Sequence, residues 1–309
     1  MSCLCNAQVD SSYIKTFDHV LSVRFFISKE MLFLNQENSN ESKTYMPNNP
    51  PKLGAGMSLN NTILSFSYGY GFDFMRDKEL GKTRSFDFQL HNYGRKFVFD
   101  LFIQRYKGFY MEDDKNNITL CPDLKIHQYG LYGQYVFNNK KYSYKAAFVQ
   151  NERQLKSTGS FLIGGGIYFT NIESDSSFVY MGKNSLDNFQ FGLSGGYTYT
   201  WVLGRYWDIS ASTTVGINFG SEKINSFGKQ RLEVYPTVFP RFSAGYKHDS
   251  WAIGFSYVGN IVFSSVSDEL NMGTYSGNFQ ISFVKHFTVI PLVSPKINKK
   301  VLSVVNWIF

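Results

Sequence analysis

Large aromatic and small polar residues alternate without a break between Phe189 and Trp201. One parity carries Phe189, Phe191, Leu193, Gly195, Tyr197, Tyr199 and Trp201, and the other carries Gln190, Gly192, Ser194, Gly196, Thr198 and Thr200. Because successive side chains of a strand point to opposite sides, this segment has one apolar face and one polar face. Aromatic rather than aliphatic residues dominate the apolar face, which predicts a strand that crosses a membrane.

The same pattern recurs along the chain and predicts an all-β fold, an antiparallel transmembrane β-barrel. The predicted strands are residues 20–27, 54–59, 62–72, 84–92, 96–104, 127–137, 142–150, 160–170, 189–202, 207–219, 238–246, 251–261 and 275–287. These make thirteen, whereas single-chain bacterial barrels have an even number of strands. A short strand at 177–181 restores the alternation of short turns and long loops, so 14 strands are preferred and 12 are the second choice. Residues 75–83 and 109–124 are the predicted external loops.

Composition and charge narrow the class of protein. The aromatic share is 18% and the mean hydropathy is −0.23, and the chain has no run of 18 apolar residues, which argues against a helical membrane protein. The net charge of +7 comes from Lys and Arg scattered through turns, so nucleic acid is not a predicted partner. Mild basicity suits a surface that faces anionic lipid headgroups.

The two ends of the chain are predicted to lie outside the barrel. Residues 1–17 are interpreted as the remnant of a signal peptide with an N-terminal segment, residues 18–287 as the outer-membrane barrel, and residues 288–309 as a C-terminal tail. A lipid anchor on Cys5 is the weaker alternative for the N-terminus. A metal site from Cys3 and Cys5 is weaker still, because no His or third Cys is near them. Cys121 stands alone, so no disulfide framework is predicted.

Four segments carry a resemblance to a known family. They are residues 48–54, residues 68–72, Gly81-Lys82-Thr83 with Phe86-Asp87, and residues 104–110. In this order they resemble an uncharacterised outer-membrane family of Bacteroides-type bacteria, domain of unknown function 4421, over about residues 20–287. The resemblance implies an envelope protein made with a signal peptide, and it implies no reaction, ligand or catalytic residue. It also implies an end near Phe287, whereas 22 residues follow here.

Strand parity assigns residues to the two sides of the barrel wall. The polar candidates for the lumen are Asp87, Gln89, His91, Asp100, Gln104, Lys145, Asp208 and Arg241. The aromatic candidates for the lipid side are Phe66, Tyr68, Phe191, Tyr197, Trp201, Phe255, Phe279 and Phe287. Charged lumen residues of mixed sign would tune the passage of solutes. The alternative is an internal network of salt bridges and hydrogen bonds that fills the lumen.

Three functional classes follow from this assignment. The first is a porin-like channel of a Gram-negative outer membrane, and the second is a non-conducting envelope scaffold or surface-binding protein. The third, a barrel hydrolase built on Asp87 and His91, is the weakest, so the chain is predicted not to be an enzyme. No catalytic residue, metal or cofactor is predicted. The expected partners are outer-membrane lipid and the barrel-assembly machinery, with the small solute or protein partner left open.

Overall fold

The computed structural model describes residues 9–17, 19, 21–37, 42–59, 65–112, 117–175, 184–224, 232–266 and 271–288. The described residues form the strands β1 (Ile14–Thr16), β2 (Leu21–Glu37), β3 (Ser42–Met46), β4 (Lys52–Leu59), β5 (Ser65–Gly71), β6 (Arg84–Tyr93), β7 (Phe97–Glu112), β8 (Ile118–Val136), β9 (Glu152–Gln154), β10 (Thr158–Glu173), β11 (Ser185–Val202), β12 (Trp207–Ile224), β13 (Leu232–Lys247), β14 (Trp251–Val266) and β15 (Asn271–Phe287). A short 3₁₀ helix (Asp73–Met75) and a π-helix (Lys145–Val149) complete them. No described helix has the length and apolar character needed to cross a membrane.

Ten antiparallel strands close the barrel. The ring runs β2, β3, β7, β8, β10, β11, β12, β13, β14, β15 and returns to β2. The predicted numbers of 14 and 12 strands are therefore wrong, for two reasons. Residues 142–150 do not form a wall strand, and β4, β5 and β6 hang from β2 and β7 without joining the ring. The extra strand predicted at 177–181 lies outside the described residues.

The wall is irregular where β3 meets β7. β3 pairs with β7 at the outer end, and below this contact β4 and β5 extend from β2 while β6 extends from β7. No pairing joins β5 to β6 among the described residues. Asn48 fastens the junction: its backbone N–H donates to Thr83 Oγ1 at 2.7 Å, and that hydroxyl donates to the Gly108 carbonyl at 2.6 Å. Gly108 has φ +85°, and a Cβ there would lie 2.6 Å from the Lys82 carbonyl oxygen, so the junction requires glycine.

The lengths of the connections orient the barrel. Short turns at residues 94–96, 203–206 and 248–250 lie at the end where β2 starts and β15 finishes, and longer connections such as residues 72–83 lie at the opposite end. Short turns face the periplasm in outer-membrane barrels, so the opposite end is the outer end. Residues 109–124, predicted as an external loop, are mostly strand, because β7 and β8 continue to Glu112 and from Ile118.

An apolar band surrounds the barrel on its outside. Tyr68, Phe191, Tyr197, Trp201 and Phe279 are exposed, and Phe255 and Phe287 are partly exposed on the same face of their strands. Phe66 lies on β5, but its side chain is outside the described part of the chain. So wide an apolar surface is stable in lipid and not in water, and only a closed sheet leaves no free edge around its ring. The protein is an outer-membrane β-barrel.

The segment between β8 and β10 folds into the periplasmic end of the barrel. Residues 142–154 contain the π-helix and β9, and β9 pairs with β1 of the N-terminal segment. Tyr142 and Tyr144 are buried there, and their hydroxyls lie 2.5 Å from Thr198 Oγ1 and 2.9 Å from Ser212 Oγ. We call residues 142–154 the plug. The strand predicted for 142–150 is wrong because residues 145–149 form the π-helix and the two tyrosine hydroxyls contact β11 and β12.

Three apolar clusters lie inside the barrel, one near each end and one between them. The outer cluster is Leu32, Leu34, Tyr45, Tyr106, Phe109, Cys121, Leu124, Ile126, Ile172, Leu186 and Met272. The middle cluster is Phe102, Tyr132, Tyr168, Phe239 and Val262. The periplasmic cluster joins the plug to the wall and contains Tyr93, Val98, Val136, Tyr142, Tyr144, Ala147, Phe148 and Leu162. The described part of the barrel interior therefore contains packed apolar side chains at both ends and between them.

Candidate functional site

Asp100 is the centre of a polar cluster that crosses the barrel. It lies on β7 directly opposite His91 of β6, and its carboxylate lies 2.6 Å from His91 Nδ1. Arg241 of β13 reaches over from another wall, where its guanidinium donates to Asp100 and, at 3.0 Å, to the hydroxyl of Tyr93. Asp100 and Arg241 are almost fully buried. This cluster, which we call the Asp100 clasp, holds three strands at fixed positions.

A second cluster surrounds Asp87 on β6. Its carboxylate accepts hydrogen bonds from Gln89 Nε2 at 2.9 Å, Gln104 Nε2 at 2.8 Å and the Tyr106 hydroxyl at 2.6 Å. Three donors saturate much of the capacity of one carboxylate. The structure thus brings Asp87, Gln89 and Gln104 together but keeps them apart from His91, whose ring nitrogen is engaged by Asp100.

A third buried ion pair joins Asp208 of β12 to Lys247 of β13. Both side chains are at most 2% exposed, and both carboxylate oxygens accept from the ammonium group. Lys247 escaped the sequence analysis, although it follows Arg241, Ser243 and Gly245 on the inward parity of its strand. Extending the parity of β13 by one residue past Tyr246 would have found it. Glu30 and Lys52 form another partly buried pair that the sequence analysis missed.

Lys145 does not lie on a wall strand. It belongs to the π-helix of the plug, which ends at Gln150 with φ 62°. The strand predicted around it is therefore wrong, because the residues from Tyr142 turn into the barrel, and its assignment to the lumen stays a prediction. The plug is tied down elsewhere by Arg95 with Glu152 and by Arg153 with Asp249, the second pair at 2.9 Å.

Asp249 fastens the N-terminal segment to this end. It lies in the turn between β13 and β14, outside the membrane-spanning strands, and contacts Lys15 of β1 at 2.9 Å. The hydrogen bond from Lys15 lowers the pKa of Asp249 below its ordinary value, and the charge of Arg153 adds to this shift. The carboxylate thus stays ionised at neutral pH and holds both β1 and the plug.

A serine and a histidine meet where β15 pairs with β2. Ser22 Oγ lies 2.9 Å from His286 Nδ1, and the rings of Phe17 and His19 pack against His286. Both residues of the pair are buried. The pair ties the two strands that close the ring.

The geometry of these polar clusters fits a structural role. Every carboxylate at the centre of a cluster is engaged by buried donors, so none points a free oxygen toward a substrate. In the described part of the chain, no group of three or more His, Cys, Asp or Glu side chains could hold a metal ion. A groove of about 560 Å³ lies on the outer wall, lined by Tyr197, Tyr199, Trp201 and Thr213, and faces lipid.

The chain is similar to one family of proteins and to several solved structures. A family model described as "Domain of unknown function (DUF4421)" matches residues 8–287. Among solved structures, the outer membrane protease OmpT from Escherichia coli matches with 7% identity and a TM-score of 0.39, over 87% of this chain and 97% of that chain. The Pseudomonas putida toluene transporter TodX matches with 8% identity and a TM-score of 0.26, over 87% and 90%. No curated protein matches the chain.

A further match carries yet another description. The attachment invasion locus protein Ail of Yersinia pestis has 9% identity and a TM-score of 0.24, over 86% of this chain and 99% of that chain. At these sequence identities and TM-scores, the role of a residue in a matched protein is not assigned to any residue of this chain. The prediction that the chain is not an enzyme is nevertheless corrected, because a protease stands among the matched structures.

Proposed function

The chain belongs to the family described as "Domain of unknown function (DUF4421)", and we propose from this premise that it is a non-conducting outer-membrane barrel that acts as an envelope scaffold or binding surface. The observation that carries the proposal is the packed interior. Among the described residues, the outer, middle and periplasmic clusters each contain buried aromatic side chains.

Polar contacts between strands that are not neighbours in the ring support the proposal. Gln128 of β8 donates to Thr274 of β15 at 2.8 Å, and Tyr132 lies 3.0 Å from Ser194 of β11. A conducting lumen uses charged side chains to meet passing ions. Here Asp100 is paired with Arg241 and His91, and Asp208 is paired with Lys247, so these buried charges have partners within the protein and hold strands together.

The outer end provides the surface for contacts. β7 and β8 extend beyond the apolar band, and Ile118 and Leu120 are exposed there at 44% and 50%. Asn48 donates to the carbonyls of Asp77 and Gly81 at 2.6 and 2.8 Å, which fixes the connection between β5 and β6. A fixed external segment with exposed apolar side chains is suited to contacts with a partner.

Cysteine accessibility tests the proposal. In a background with Cys3, Cys5 and Cys121 changed to Ser, the test variant is Ser194→Cys inside the barrel and the control is Lys78→Cys in the external connection. A charged, water-soluble thiol reagent should label the control within the folded protein, and should label Ser194→Cys only after denaturation. Labelling of both variants at similar rates in the folded protein would show a wet lumen and contradict the proposal.

A further inference from the structure

Four cations gather on the outside of the barrel at the outer limit of the apolar band. Arg84 of β6, Arg105 and Lys107 of β7 and Lys125 of β8 lie on the face that carries the exposed aromatics of these strands. We call them the basic patch. Phe86 and Phe88 follow Arg84 on the same parity, so the patch meets apolar surface directly.

The strand register sets these like charges against each other. Arg84 lies directly opposite Lys107, and Lys107 lies directly opposite Lys125 on the next strand. Arg105 is two residues before Lys107 and therefore lies beside it on the same face. Like charges directly opposite each other on paired strands are destabilising. This arrangement is costly for the barrel unless an anion lies between the cations.

The protein itself neutralises only one side of the patch. Lys125 pairs with Glu173 of β10 at 2.9 Å, and Asp123 and Asp175 add negative charge around it. Arg105 donates to the Tyr129 hydroxyl at 2.9 Å and stacks on that ring, which orients the guanidinium but leaves its charge. Arg84 and Lys107 have no carboxylate partner among the described residues. The positive charges of Arg84, Arg105 and Lys107 are thus not neutralised by a paired carboxylate among the described residues.

The depth of the patch indicates what the anion is. Phe86, 58% exposed, lies directly opposite Arg105, so the guanidinium sits at the level where the acyl chains of the outer leaflet end. A lipid phosphate occupies this level in a bilayer. Guanidinium groups bind phosphate with two parallel hydrogen bonds, and lysine adds a point charge. Basic clusters at such an interface bind anionic headgroups.

We propose that Arg84, Arg105 and Lys107 bind the phosphate of an anionic lipid in the outer leaflet. This site lies on the outer wall and does not depend on whether the lumen conducts. The lipid would screen the repulsion between β6 and β7 and would cover the wall next to the edge of β6 that has no partner among the described residues.

Native mass spectrometry of the full chain in neutral detergent tests the site, with diphosphoryl lipid A and its dephosphorylated form as probes. The wild type should retain the phosphorylated lipid. The triple variant Arg84→Gln, Arg105→Gln and Lys107→Gln should bind it about tenfold more weakly or worse, since charge-assisted contacts are lost. The control variant Lys96→Gln, Arg205→Gln and Lys140→Gln removes three exposed cations from the periplasmic end and should bind as the wild type does.

Thermal unfolding of the same proteins supplies a second measurement. Without lipid the triple variant should unfold at a higher temperature than the wild type, because the repulsion is gone. Diphosphoryl lipid A should raise the unfolding temperature of the wild type and leave that of the triple variant unchanged. Equal retention of both lipids by the wild type, or an equal loss in both variants, would overturn the proposal. Release of the lipid by inorganic phosphate at the same concentration as the lipid would overturn the lipid assignment.

Discussion

At the scale of single residues, strand parity is the strongest signal in the sequence. The alternation around Phe191 and Tyr197 assigned these side chains to the outer surface, where the structure exposes them. The same rule placed Asp100, Asp208 and Arg241 inside, but it could not show their partners. The contact between Arg241 and Asp100 depends on the position of β13 across the barrel, and local sequence contains no information on that distance.

Two neighbouring residues of the closing strand test the facing directly. Ile281 is 57% exposed on the outer face of β15, whereas Gln280 lies on the inner face opposite Ser28 and Ser256. A charge on the lipid face should cost about 2 to 4 kcal/mol near the middle of the membrane. We expect Ile281→Arg to abolish folded barrel in outer-membrane fractions and Gln280→Arg to assemble, as read from heat-modifiable migration. Equal assembly of the two variants would show that the facing is wrong.

At the scale of elements, turns were better predicted than connections that fold inward. The turns after Tyr93 and Val202 follow local signals from Gly94 and Gly204, and the strand bounds on either side agree within a few residues. The plug was missed because Tyr142 and Tyr144 alternate with polar residues as a wall strand would. Its conformation is set by tertiary hydrogen bonds to Thr198 and Ser212, which no short-range pattern encodes.

The gap between β5 and β6 leads to a prediction for backbone exchange. Among the described residues, β5 and β6 each pair with a neighbouring strand on one side only, whereas β11 and β12 pair on both sides. Unpaired amides exchange faster than amides in a ladder. Peptides that cover residues 65–71 and 84–93 should therefore take up deuterium faster than peptides that cover 185–202 and 207–224. Equally slow uptake in all four segments would show that the β5 and β6 edges are paired.

At the scale of the whole molecule, the fold class could be predicted and the strand number could not. Aromatic alternation indicates a membrane barrel, but the number of strands depends on whether each apolar segment joins the ring. Apolar and polar side chains alternate along β4, β5 and β6 as they do along the other strands, but these three strands extend from β2 and β7 and are not part of the ring. The junction at Asn48, Thr83 and Gly108 allows β3 to pair directly with β7. Whether the lumen is open or filled could not be predicted either, because polar inward residues suit both a channel and an internal network.

Single-channel recording in a planar bilayer tests the central claim, the filled lumen, most directly. The purified full chain is added at increasing load, with a porin as the positive control under the same salt conditions. Because three apolar clusters and the plug occupy the barrel, we expect the porin to give discrete, salt-dependent current steps and this protein to give none. Discrete steps that scale with salt and with the amount of folded protein would contradict the account.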